Sequence, residues 1–79
     1  MRRTKVRYNV GIDVHDYEKH THGRKEIALY DEDWVTATEY AMNKVREQHP
    51  NADIELAYVK EYNARYMLPT STKILYSTL

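Results

Sequence analysis

The chain has 79 residues, with 12 Lys/Arg balanced by 12 Asp/Glu, and no cysteine. That length supports one domain, residues 1–79, with one small core, and the missing thiols exclude disulfide staples and thiolate metal centres. Its apolar runs fall far below the ~20 residues that span a bilayer, and MRRTKVRYNV lacks the apolar centre of a secretory signal, so a cytoplasmic location is expected.

The zero net charge hides a segregation. Residues 1–25 carry seven Lys/Arg against three Asp/Glu, residues 26–61 carry three against nine, and residues 62–79 add only Arg65 and Lys73. A basic arm therefore precedes an acidic middle, a pattern that steers partners through its field. Eight Tyr, one Trp and no Phe complete the aromatic set. Tyrosine pairs an apolar ring with a polar tip, which suits a surface that must be soluble and adhesive at once.

In chain order, Val6, Tyr8, Val10, Ile12 and Val14 alternate with Arg7, Asn9, Gly11 and Asp13, the period of a half-buried strand. Glu26–Tyr30 repeats that alternation with Ile27 and Leu29 inward. Between them HDYEKHTHGRK is polar throughout and contains Gly23, so the two strands read as a hairpin with a long tip. DEDW then announces a helix: Asp33 suits the N-cap, and Asp31 and Glu32 suit the positive end of the helix dipole. Trp34, Ala37, Ala41 and Val45 recur at helical spacing, with Trp34 expected to fill one end of the core. Pro50 stops the helix near His49. DIELAYVKEY is a third strand, read with Ile54, Leu56 and Tyr58 on one face and Ala57, Val59 and Glu61 on the other. TKILYSTL is a weaker fourth, with Pro69 just before it. The order ββαββ predicts an α+β fold: a four-stranded antiparallel sheet, order 2-1-3-4, with one helix packed on one face.

The chemistry, if any, sits in HDYEKHTHGRK. His15, His20 and His22, with Asp13, Asp16 and Glu18 nearby, are residue types that bind zinc or nickel. His20 and His22 flank Thr21 just before Gly23, where the chain is expected to turn, and a hairpin tip is a poor place to preorganise ligands. We read the stretch as a polar loop, with neither metal nor other cofactor expected. There is no glycine-rich phosphate loop and no nucleophile–base motif, so a non-enzymatic protein is expected. Tyr8 and Tyr58 are read as core or core-edge residues. Arg7, Tyr58, Lys60, Tyr62, Tyr66 and Tyr76 are the candidate partner-binding residues.

YDEDWVTATEYA sets Tyr30, Glu32, Trp34, Ala37, Glu39 and Ala41 in a Y-x-E-x-(large apolar)-x-x-A-x-E-x-A arrangement, and NADIELAYVK follows with Ala52, Ile54, Glu55, Leu56, Val59 and Lys60. Over roughly residues 6–61 this resembles the small host-RNA-polymerase inhibitors of short-tailed coliphages, with a helix about one turn longer. The resemblance implies a domain that binds the polymerase jaw, partly through two basic residues on its final strand. Those positions are Tyr58 and Lys60 here, one of them basic. Several anti-CRISPR proteins of phages share a similar order of elements, including a fourth strand. The function expected is therefore inhibition of a host protein machine by binding, with bacterial RNA polymerase the first target and an anti-CRISPR or other anti-defence role the alternative. A second alternative is a nucleic-acid binder using Arg2, Arg3, Lys5, Arg7, Arg24 and Lys25; against it, the acidic helix start repels phosphate. No membrane partner is expected.

Overall fold

A computed structural model describes residues 6–62 and 72–78. Its elements are β1 (Val6–Asp16), β2 (Thr21–Asp31), α1 (Trp34–Gln48), β3 (Asp53–Tyr62) and β4 (Thr72–Ser77). The strands form one antiparallel sheet of order β2-β1-β3-β4, as the sequence predicts, with α1 packed on one face. Tyr66, Pro69, Arg2, Arg3 and Lys5 lie outside the described residues.

The alternation of β1 sets the core. Tyr8, Val10, Ile12 and Val14 face the helix and meet Ala37, Ala41 and Val45, all buried, together with Val59 from β3. Two alanines where helix meets sheet let their backbones approach closely, while Val6, Ile27, Leu29, Trp34, Ile54, Leu56 and Leu75 close the margins. Trp34 is only partly buried, so it borders the core rather than filling one end. Asp33 caps α1 as expected: its carboxylate accepts from the Thr36 backbone N–H and hydroxyl, both at 2.9 Å. The helix ends at His49, whose N–H reaches the Val45 carbonyl at 2.9 Å.

Two further expectations fail. The hairpin tip is short: β1 and β2 pair without interruption from Val6↔Asp31 to Asp16↔Thr21, leaving Tyr17 to His20 as the turn. His20 supplies the positive φ of 51° that this turn needs, and Asp16 accepts the N–H groups of Glu18 and Lys19. Gly23 sits in mid-strand opposite Val14. The face assignment of β3 also changes. Gly11 pairs with Tyr58 but Ile12 pairs with Leu56, so Ala57 is an extra residue in a β-bulge. The bulge resets the alternation. Ile54, Leu56 and Val59 all turn to the helix, and Tyr58, Lys60 and Tyr62 turn to the opposite, solvent-facing side.

Candidate functional site

That solvent-facing side of the sheet gathers Arg7, Asn9, Gly11, Asp13 and His15 from β1. From β2 it takes His22, Arg24, Glu26, Ala28 and Tyr30, and from β3 Asp53, Glu55, Tyr58, Lys60 and Tyr62. Its centre is Tyr58, whose ring lies across Gly11. A Cβ at Gly11 would overlap the ring atoms, so glycine is required for this close approach. Glu26, Gly11 and Tyr58 stand in one row across three strands. The Tyr58 hydroxyl crosses the glycine to donate to Glu26 Oε2, while Asn9 Nδ2 donates to Glu26 Oε1 at 2.7 Å. The hydrogen bond to Glu26, then burial, pushes the Tyr58 phenol up to about 12. Asn9 is itself buried, and its Oδ1 has no partner among the described residues.

Cations sit over this aromatic surface. Lys60 Nζ lies 4.9 Å from the Tyr58 ring centroid, Arg24 lies 5.7 Å from the same ring, and Arg7 lies 5.1 Å from the Tyr62 centroid. Arg24 also donates from Nε to Asp13 Oδ1 at 2.7 Å, which holds the Asp13 carboxyl below its ordinary range. Tyr30 is 64% exposed, and Ile74 of β4, paired with Lys60, is 62% exposed. One end of the face is thus aromatic and basic.

The hairpin end is acidic. Asp13, His15, Tyr17, His22, Asp53, Ile54 and Glu55 line an open cleft of about 370 Å³. His15 stacks on Tyr17 with centroids 4.1 Å apart and meets His22 edge-on at 5.6 Å. Tyr17 is hydrogen-bonded to Asp53, which raises its phenol. Among the described residues no group of three or more His, Asp or Glu is arranged to hold a metal ion. His20 lies in the turn and, unlike His15 and His22, does not line this cleft.

Of the six residues picked out as partner-binding, Arg7, Tyr58, Lys60 and Tyr62 come together on this face. Tyr76 lies on β4 opposite Val59, exposed, and Tyr66 is outside the described residues. Tyr58 is buried, as a core-edge residue should be, but on the face away from the core. Sequence reasoning missed Asn9 and Glu26, which hold Tyr58 in place. The signal for Asn9 was present in the strict alternation of β1. Glu26 could be found only from the hairpin register. No helix among the described residues is long and apolar enough to cross a membrane. No protein family, no curated protein and no solved structure matches the chain.

Proposed function

We propose that this protein is a non-enzymatic inhibitor that binds a protein partner through the solvent-facing side of its sheet. The observation that carries the reading is the fixed array of tyrosine rings and cations: Tyr58 beneath Lys60 and Arg24, and Tyr62 beneath Arg7. Tyrosine and arginine are the residue types that dominate binding energy at protein interfaces. The array is also pre-ordered. Tyr58 is held by Gly11 below it and Glu26 at its tip, so little side-chain freedom remains to be lost on binding.

The target class rests on the sequence resemblance to phage inhibitors of host RNA polymerase, whose basic contact positions map onto Tyr58 and Lys60. Bacterial RNA polymerase in the host cytoplasm is therefore the first partner to test, and a CRISPR or other defence complex the second. A nucleic-acid reading draws on the same stacked cations and rings, since bases stack on aromatic side chains. Asp13, Glu26 and Glu55 on the same face weigh against it, because they repel phosphate.

The test is direct binding of the purified chain to bacterial RNA polymerase holoenzyme, repeated with Tyr62→Ala and Lys60→Glu. The expected result is saturable one-to-one binding that each substitution weakens roughly tenfold or more, with the unfolding transition nearly unchanged. The nucleic-acid reading predicts instead a steep loss of affinity with salt, as neutralised phosphates release counterions. Tight binding to naked DNA at physiological salt, lost in Arg2→Ala with Arg3→Ala and indifferent to Tyr62, would overturn the proposal.

A further inference from the structure

The sheet has two edges, and they are unequal. β4 is six residues long and its pairing with β3 is broken by a register shift between Val59 and Lys60. β2 is 11 residues long, pairs with β1 without a bulge, and has no proline along its length. Among the described residues no strand lies along its outer side, the arrangement that recruits another strand unless something blunts it. Charge is the usual blunting device, and here the charges of β2 are distributed with a symmetry of their own. Lys25 stands three residues before Ala28 and Asp31 stands three residues after it.

We propose that β2 pairs antiparallel with β2 of a second copy of this chain, about a two-fold axis at Ala28, joining two sheets into one of eight strands. In that register Lys25 of each copy faces Asp31 of the other, an opposite-charge cross-strand pair formed twice by symmetry. Ile27 faces Leu29 on the helix side, where both are only partly buried in the single chain and gain apolar cover. Tyr30, 64% exposed, faces Glu26 on the solvent-facing side. Ala28 meets Ala28 at the axis, where the small side chain leaves the two strands free to approach. Lys25 forms no ion pair among the described residues, so the contact removes no existing one. A second copy fits better than an unrelated strand because a single edge supplies both halves of the charge match. Shifting the register by one residue would put each side chain opposite the wrong face and lose both pairs.

Sedimentation velocity of the full chain over a range of concentrations tests this, with Lys25→Asp, Asp31→Lys and the double exchange measured beside the parent. The parent should associate to a dimer. Each single exchange sets like charges opposite each other twice, raising the dimer dissociation constant roughly tenfold or more. The double exchange restores the pairs and should restore the dimer. Ala28→Lys, exposed and at the axis, gives a like-charge clash without touching the helix start. It covers the case in which Asp31→Lys perturbs folding, because Asp31 accepts the Glu32 N–H. A parent that stays monomeric at all concentrations, a dimer indifferent to Lys25→Asp and Ala28→Lys, or a double exchange that fails to recover association would each overturn the proposal. Tyr62→Ala should leave the dimer intact, which separates this outcome from partner binding.

Discussion

Replacing Gly11 by alanine adds one methyl group, and the structure specifies what it strikes. The new Cβ would overlap the Tyr58 ring, so the ring must lift off β1. Tyr58 is 9% exposed, and lifting it returns about 100 Å² of ring surface to water, roughly 2.5 kcal/mol at ~25 cal/mol per Å². Losing its hydrogen bond to the charged Glu26 costs about 1.5 kcal/mol more. Alanine recovers about 0.5–1 kcal/mol by restricting the unfolded chain. The net expected loss is roughly 2–4 kcal/mol, a large share of the stability of so small a domain. Urea unfolding followed by circular dichroism measures it, and a double-mutant cycle with Tyr58→Ala isolates the cause. With the ring removed, Gly11→Ala should be neutral or stabilising by up to about 1 kcal/mol. Equal costs in the two backgrounds would show that Tyr58 does not lie across Gly11, and the geometry of the proposed binding face would fall with it.

Other outcomes follow from the same structure. Ile12→Ala, at a fully buried position, should cost about 2–5 kcal/mol, while Trp34→Ala, at a half-buried one, should fall at or below the ~3 kcal/mol low end for large aromatics; parallel urea titrations give the order, and a larger loss at Trp34 would return it to the core. Because the fold raises the Tyr58 phenol to about 12 from an ordinary 10, it favours the neutral form, so that contribution to stability is complete below pH 10 and is lost between pH 10 and about 12. Tyr58→Phe should lose the late-ionising phenol from an absorbance titration and flatten that part of the stability–pH curve. Changing His15, His20 and His22 together to alanine should alter stability by less than about 1 kcal/mol, as surface substitutions do, and a chelator should leave the circular dichroism of the parent unchanged; loss of structure on chelation would reveal a metal there.

The alternation of Val6 to Val14, the cap at Asp33, the alanine spacing of the helix and the order of the elements were legible along the chain. Each is a local signal: period two, period 3.6, or a capping side chain reaching its own backbone. Connectivity and handedness then leave few sheet orders to choose from, and 2-1-3-4 was among them. Three features were decided only in three dimensions. Thr21–Lys25 reads as loop because no apolar residue marks it, and it is exposed throughout; it extends as a strand because β1 continues beside it and supplies its hydrogen bonds. The turn at Tyr17–His20 follows from that pairing, which sets His15 against His22. The bulge at Ala57 has no signature of its own within DIELAYVKEY, because an unpaired residue is defined only by what stands opposite it. Its effect reaches furthest. By shifting the alternation one step it sends Val59 into the core and Tyr58, Lys60 and Tyr62 to the open face, where Gly11, chosen by neither period nor propensity, leaves room for the ring.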